Sequence, residues 1–321
     1  MSHSADHAAL QAAAHWFARL HGAPADAELQ QRWASWLAET PSHRVAWGYV
    51  ESINARFGLV QGDSAQQVFG ALQQRRQSRR QLLGSLGLLG AGTWLGWQSW
   101  QQGWVSTPAA WLASYRTGFA EIRAFTLEEG TQVWLNSNSA LSASFSGQQR
   151  SLELYAGEVL VHTARDPRPL YLHTRAGHLQ TQDARFSACV QGGNALLTVF
   201  EGAVQATCAD SHATRQVLAG EALRFDAQQL HANQTAQAQR HHWQRGVLVA
   251  DNTPLRQVLT ELGQYRRGHL GMAPALEPLR VVGTFPLLDS DRALAMLERV
   301  LPVRREQLLP WWVTLEPQAK S

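Results

Sequence analysis

The feature that most constrains this chain is a run of 19 residues without a charged side chain, from Leu82 to Trp100. A helix needs about 20 apolar residues to cross the hydrocarbon core of a membrane. The run is rich in glycine and only mildly apolar, so a buried helix of a soluble domain is the alternative. Its length and the tryptophans towards its end predict a transmembrane helix over residues 82–104.

The charges around this run predict its orientation. Four arginines precede it, and no basic residue follows it before Arg116. Positive charge marks the cytoplasmic side of a membrane segment, so we expect the N-terminus in the cytoplasm and the C-terminus in the periplasm. Arg79 and Arg80 also resemble the paired arginines of a twin-arginine export signal, which would give the same single-pass topology in the inner membrane.

The composition predicts folded domains and does not indicate nucleic-acid binding. Hydrophobic residues make up 45% of the chain and charged residues 17%, which is enough apolar material to bury a core. The formal net charge is only +3, and it is spread along the chain rather than gathered in a patch. We therefore expect no direct contact with nucleic acid.

The two cysteines, Cys189 and Cys208, exclude a disulfide-dense scaffold and a four-cysteine zinc site. Residues 196–200 form a predicted strand between the strands that would hold them. Strands two apart in a sheet are about 9.5 Å from each other, which is too far for a disulfide. The interpretation that we favour is that the two thiols do not pair, with a disulfide as the alternative.

Residues 1–75 predict a small helical bundle. Apolar side chains recur at helical spacing over about 8–20, over 26–39 and from the candidate N-cap Ser42 onward, and a fourth helix is predicted over about 64–77. A bundle this small needs its apolar area for its own core. Each aromatic residue of these stripes is therefore more simply a core residue than part of a groove for a partner.

The rest of the chain predicts a β-rich domain followed by a mixed one. Short alternating runs over 112–230 predict an all-β domain, with hairpin turns at Gly157 and Gly202. Residues 243–316 alternate strands with helices and predict a small α/β domain. The predicted fold class is therefore multidomain: an N-terminal all-α bundle, one transmembrane helix, an all-β domain and a C-terminal small α/β domain.

Catalytic and metal-binding patterns do not occur in the sequence. Among the thirteen histidines, His173 and His178 are five residues apart, and His241 and His242 are adjacent. Adjacent side chains on a strand point to opposite faces. No His-Glu-x-x-His motif, Gly-x-Ser-x-Gly elbow or phosphate loop is present. We therefore expect no metal site, no cofactor and no enzymatic activity.

The aromatic residues near the N-terminus form an ordered pattern. Trp33, Trp36 and Leu37 precede a short turn and the sequence His43-Arg44-Val45-Ala46-Trp47. This arrangement resembles the N-terminal domain of FecR-type regulators. The resemblance implies that the domain binds an extracytoplasmic-function sigma factor, either holding it inactive or helping it to become active. The implied sigma-factor-binding residues are Trp33, Trp36, Leu37, His43, Ala46 and Trp47.

The predicted all-β domain resembles the FecR domain of the same regulators. Residues 127–136 read Leu-Glu-Glu-Gly-Thr-Gln-Val-Trp-Leu-Asn, which is similar to the family's L-x-D-G-S-x-V-x-L-N with Glu129 in place of aspartate. Further similar segments follow in the order of the family. The resemblance spans about residues 115–226.

The C-terminal domain is similar to the secretin-and-TonB short domain that ends FecR-type proteins. The similarity lies in Trp243, Pro254-Leu255 and the segment Val282-Gly283-Thr284-Phe285. It implies contact with the signalling domain of an outer-membrane TonB-dependent transporter of the iron-siderophore type. The chain would then relay a signal from that transporter to the sigma factor, with cleavage by envelope proteases on activation.

One departure from the family pattern concerns self-cleavage. Many FecR-type proteins resemble one another in a Gly-Thr step, at which the threonine hydroxyl attacks the preceding carbonyl. Here Asp183 and Ala184 occupy that step, and the Ala184 side chain has no oxygen or sulfur atom with which to attack. We therefore predict that the chain stays uncleaved until a signal recruits proteases.

A function of another class is the alternative. The residues after about 105 would form a membrane-tethered periplasmic module that binds carbohydrate or an assembly partner, and the helical bundle would be only an anchor or a dimerisation element. The genomic neighbourhood separates the two hypotheses. A sigma-factor gene immediately upstream and a transporter gene downstream would favour the regulator.

Overall fold

The structure is a computed structural model, and it describes residues 6–22, 26–58, 113–236 and 238–318. These residues divide into two compact units. The first unit contains the described residues between 6 and 58 together with 251–282 and 289–318, and the second contains those of 113–250 and 283–288.

The fold class predicted from the sequence has to be corrected in one part, the transmembrane helix. No helix among the described residues is both long and apolar enough to cross a membrane. The longest has 18 residues and includes charged side chains such as Arg44. The predicted span 82–104, the export arginines Arg79 and Arg80 and the predicted helix 64–77 themselves lie outside the described residues. The described residues instead form an N-terminal helical region, a large β-rich domain and a C-terminal α/β part.

Three helices form the helical region: α1 (His7–Gly22), α2 (Ala27–Glu39) and α3 (Pro41–Gly58). Their bounds agree with the helical spacing in the sequence to within about two residues. The Asp26 side chain caps α2 by accepting a hydrogen bond from the Leu29 amide. At the start of α3 the Thr40 hydroxyl accepts from the His43 amide, so the cap is Thr40 and not Ser42.

Twelve strands of the second unit form one connected sheet. They are β1 (Tyr115–Arg116), β2 (Arg123–Thr126), β3 (Gln132–Leu135), β4 (Ala140–Phe145), β5 (Arg150–His162), β6 (Leu170–Thr174), β7 (Gly177–Thr181), β8 (Ala184–Gln191), β9 (Asn194–Cys208), β10 (Thr214–Leu218), β11 (Glu221–Phe225) and β12 (Gln234–Thr235). Strands β5 and β6 run parallel, and the other pairs in this described sheet are antiparallel. Inward-facing apolar side chains of these strands fill one core.

The two longest strands, β5 and β9, each pair with one set of strands over their first part and with another set over their second part. The first half of β5 pairs with β4 and β6, and its second half pairs with β3 and β8. Each strand continues through a glycine with positive φ, Gly157 at 82° and Gly202 at 76°, close to an irregularity in the pairing. The prediction of hairpin turns at these two glycines is therefore wrong. A glycine with positive φ suits a β-bulge inside a strand as well as a turn.

A fully buried arginine, Arg150, ties the start of β5 to two loops. Its guanidinium donates hydrogen bonds to the carbonyl oxygens of Arg168 (2.9 Å), Ala164 (3.2 Å) and Gln182 (3.1 Å). The Glu129 carboxylate lies 4.0 Å from it and balances the charge. A buried cation without partners would be strongly destabilising, so these bonds hold both loops in place.

The C-terminal part consists of β13 (Val247–Pro254), α4 (Leu255–Gly263), β14 (His269–Met272), β15 (Arg280–Pro286), α5 (Ser290–Val300), β16 (Val303–Leu309) and β17 (Trp312–Pro317), with short 3-10 helices at Ala238–Arg245 and Pro274–Leu276. Strands β14, β17 and β16 form a three-stranded sheet, and β13 pairs with β15. Both helices bury an apolar stripe, as Leu255, Val258 and Leu262 show for α4. Strands and helices alternate along this part of the chain.

Within the first unit, the helical region packs against the three-stranded sheet. Phe17 of α1 contacts Trp311, with ring centroids 5.5 Å apart, and the Gln11 amide donates a hydrogen bond of 2.7 Å to Glu316. Trp311 and Trp312 share a core cluster with the buried residues of α1 and α3. This packing joins residues near the two ends of the chain, and the sequence patterns did not predict it.

Candidate partner-binding surface

The first pair of predicted binding residues, Trp36 and His43, is held together by the turn between α2 and α3. Their rings stack with centroids 4.4 Å apart and planes 14° from parallel. The His43 Nδ1 atom lies 2.8 Å from the Trp36 carbonyl oxygen, and the Glu39 carboxylate lies 3.8 Å from the same ring. His43 therefore orients Trp36 as well as lying next to it.

The second pair, Trp33 and Trp47, links the faces of α2 and α3. Their ring centroids are 5.0 Å apart, and Phe17 of α1 lies 5.9 Å from Trp47. The Trp33 indole nitrogen is buried without a hydrogen-bond partner among the described residues. The structure thus brings four of the six predicted residues into two aromatic pairs on one helix–helix interface.

The six predicted binding residues differ in how deeply they are buried: one lies in the core and five lie at the surface. Ala46 is fully buried and packs in the core of the helical region, so its place in the family pattern has a structural reason. The other five, Trp33, Trp36, Leu37, His43 and Trp47, are only half-buried. Half-buried aromatic rings have both a packed edge and an edge that reaches solvent.

Two exposed apolar residues of α3 are further candidates for binding that the sequence pattern did not single out. Val45 is 45% exposed and Tyr49 is 42% exposed, and a spacing of four places them on the same side of the helix. The apolar stripe predicted for α3 included both, so helical periodicity could not tell exposed members from buried ones. At 100° per residue, both lie roughly 160° around α3 from Trp47, and the Tyr49 ring also contacts His269 and Trp312. They therefore form a second patch, and we call the two patches together, Trp33, Trp36 and Trp47 with Val45 and Tyr49, the aromatic surface.

The predicted self-cleavage position lies at the start of β8. Ala184 is buried, and its amide donates a hydrogen bond of 2.9 Å to the Thr163 hydroxyl. The Thr163 amide in turn donates to the Ala184 carbonyl at 3.1 Å. The Asp183 carbonyl oxygen faces Gly202, where an added Cβ atom would lie 2.3 Å from it. The peptide bond between Asp183 and Ala184 thus lies where a bend enters β8, in closely packed surroundings.

Cys189 and Cys208 form no disulfide among the described residues, and the reason differs from the one expected. Residues 196–200 are not a strand between them, since they belong to β9 together with Cys208. Cys189 of β8 pairs directly with Leu196 of β9. Cys208 lies twelve positions further along β9, which is about 40 Å at roughly 3.3 Å per residue.

Two family models match this chain. The FecR protein family matches residues 113–205, and a domain of unknown function, DUF4880, matches residues 11–53. The first match covers β1 to most of β9, and the second includes both aromatic pairs. No match was found among curated proteins.

Two crystal structures of a candidate anti-sigma factor from Parabacteroides distasonis ATCC 8503 have a similar fold. Each is 18% identical to this chain and aligns with a TM-score of 0.51. The alignment covers 63% of this chain and 97% of the other. At this identity, the similarity is one of fold.

Proposed function

We propose that this chain is a FecR-type sigma-factor regulator whose helical region binds an extracytoplasmic-function sigma factor. The match of residues 113–205 to the FecR protein family and of residues 11–53 to DUF4880 supports the proposal. The observation that best supports the proposal is the aromatic surface of α2 and α3. It combines half-buried tryptophans in two ordered pairs with the exposed side chains of Val45 and Tyr49.

The physical properties of this surface suit protein recognition. Tryptophan and tyrosine are enriched at the residues that dominate binding energy in protein interfaces. The stacking of His43 on Trp36 and its 2.8 Å approach to the Trp36 carbonyl restrict the ring before a partner arrives. A restricted side chain loses less entropy on binding than a mobile one. The aromatic surface is therefore prepared for a helical or apolar partner face.

The sigma-factor proposal is tested with a charge on the aromatic surface. In Val45→Glu, an exposed apolar side chain becomes a carboxylate that a partner would have to desolvate. We expect the full chain to bind its cognate sigma factor at least about tenfold more weakly, a loss of about 1.4 kcal/mol or more, in titration calorimetry. Leu218→Glu is the matched control, because Leu218 is 52% exposed but lies on β10.

The fold of both variants is checked by circular dichroism before binding is compared. Equal affinity of folded Val45→Glu and Leu218→Glu would contradict a binding role for the side of the aromatic surface that holds Val45 and Tyr49. A wild-type chain with no affinity for the sigma factor encoded beside it would contradict the proposed function itself.

We further infer that the C-terminal α/β part receives its signal from the signalling domain of an outer-membrane TonB-dependent transporter of the iron-siderophore type. The support is the resemblance of this part to the short domain of FecR-type proteins, and an exposed apolar side chain on β15, Val282, which is 72% exposed. A carboxylate placed at this position would have to be desolvated by any partner that covers the strand. Val282→Asp should lower capture of the full chain by the purified signalling domain, whereas Leu218→Glu should not.

Activation would act by binding and proteolysis. We propose that the chain itself has no enzymatic activity and that envelope proteases cut it once the transporter signals. Full-length chain should then disappear after addition of the transporter's ligand, and it should persist in strains without the responsible protease. Disappearance in purified protein without any protease would refute this mode of activation.

A further inference from the structure

Two histidines that are five residues apart in the sequence become direct neighbours in the sheet of the FecR domain. Strands β6 and β7 form a tight antiparallel hairpin in which His173 pairs with His178. Their ring centroids are 5.9 Å apart, and the Tyr171 ring lies 6.1 Å from each. Directly opposed side chains of antiparallel strands lie on the same face, so both imidazoles project from one side of the sheet.

The strands on either side extend this pair into a row of polar side chains. Glu153 of β5 is the register partner of His173, and Thr207 of β9 is the partner of His178. Neighbouring strands are about 4.8 Å apart, so the row places a carboxylate beside the two imidazoles. In this structure the Tyr155 hydroxyl donates a 2.8 Å hydrogen bond to Glu153.

The spacing of the two rings suits a shared transition-metal ion. Zinc binds imidazole nitrogen at about 2.0–2.1 Å, and two rings that share one ion at that distance have centres about 5–6 Å apart. Both histidines are half-buried.

We propose that His173 and His178 form a binding site for a divalent transition-metal ion of the zinc or copper type on this face of the FecR domain. No group of three or more His, Cys, Asp or Glu side chains within the described ranges is arranged around one point. Two imidazoles therefore supply the protein ligands, water fills the remaining positions, and Glu153 adds negative charge nearby. Imidazole is a good ligand for zinc and copper and a poor one for magnesium.

The site is tested by titrating the untagged, full-length chain with zinc chloride in a calorimeter. Wild type is expected to bind one more zinc ion than either His173→Ala or His178→Ala, or to bind that ion with an affinity at least about tenfold higher. Removal of a group that only supports a metal ligand already lowers metal affinity by about tenfold or more. His162→Ala is the matched control, because His162 is an exposed histidine on the same sheet. Magnesium chloride should give no heat of binding at this site.

A second measurement guards against unfolded variants. Zinc that joins β6 and β7 should raise the thermal unfolding midpoint of the wild type and of His162→Ala, and it should leave those of His173→Gln and His178→Gln unchanged. Zinc binding that is the same in wild type and both histidine variants would overturn the proposal. So would a wild type that binds no zinc at millimolar concentration.

Discussion

At the scale of single residues, His269 makes the stability of the first unit sensitive to pH. Its ring stacks on Trp312 with centroids 3.9 Å apart, and its Nδ1 atom lies 3.3 Å from the Tyr49 hydroxyl. Burial, with a smaller effect from His7, lowers the pKa of His269 from 6.5 to about 4. The ring is therefore neutral in the folded chain at pH 7.

The lowered pKa of His269 predicts destabilisation in mild acid. Between pH 6.5 and pH 4 the unfolded chain binds this proton and the folded chain does not, so the stability from the neutral ring is complete above about pH 6.5 and is lost as the pH falls towards 4. The loss is about 3 kcal/mol at pH 4. In urea unfolding at pH 7 and pH 4, His269→Gln should lose less stability than wild type. His15→Gln, at an exposed histidine of α1 in the same unit, should lose as much as wild type.

The second prediction at the residue scale concerns the bond between Asp183 and Ala184. Cleavage by an N-to-O acyl shift needs a side-chain nucleophile on the residue after the bond, and alanine has none. We expect one band of 35.6 kDa in immunoblots of unstimulated cells with an antibody to the C-terminus. A stable pair of fragments split at this bond would contradict the argument. Asp183→Gly combined with Ala184→Thr tests whether the surrounding strand still supports cleavage.

At the scale of secondary-structure elements, β9 depends on a glycine where the chain passes β8. An added Cβ atom at Gly202 would lie 2.3 Å from the Asp183 carbonyl oxygen, and φ there is 76°. Gly202→Ala should therefore cost about 2–4 kcal/mol of unfolding free energy, from the strained φ and the clash together. Denaturant titration measures this loss.

Gly192→Ala is the matched control for that substitution. Gly192 also has a positive φ, 57°, but no atom lies within 4 Å of an added Cβ. Its replacement should cost only about 1 kcal/mol, the effect of backbone strain alone. Equal losses of unfolding free energy for the two variants would show that the close approach of the chain at Asp183 to Gly202 contributes nothing to the cost of the substitution.

At the scale of the whole molecule, the cellular location stays a prediction. The helical region is predicted to lie in the cytoplasm, and the FecR domain and the residues after it in the periplasm. The contact between Phe17 and Trp311 can exist only while both residues are in one compartment. Alkaline phosphatase fused after residue 318 should be active if the C-terminus is periplasmic. A cytoplasmic reporter active at the same position would contradict that location, and it would agree with a lasting Phe17–Trp311 contact.

Several local features were predictable from sequence because they depend on neighbours in the chain. Amphipathic spacing located α1 and α2, since a helix must turn its apolar stripe towards a core. The pattern from Trp33 to Trp47 indicated the family, and the structure brings most of those residues together. Periodicity could not separate buried Ala46 from exposed Val45, because the two are adjacent and exposure depends on which elements pack nearby.

The sequence by itself determined the helices, the alternation of the β-rich domain and the family resemblance, because each depends on residues within one or two turns of helix or along one strand. Only the tertiary structure decided that Gly157 and Gly202 lie inside long strands close to pairing irregularities, that His173 faces His178, and that Trp311 packs on Phe17. A glycine with positive φ suits a turn and a bulge equally well. Strand pairing and core packing join residues far apart in the chain, so their outcome is set by the folded arrangement and not by any local pattern.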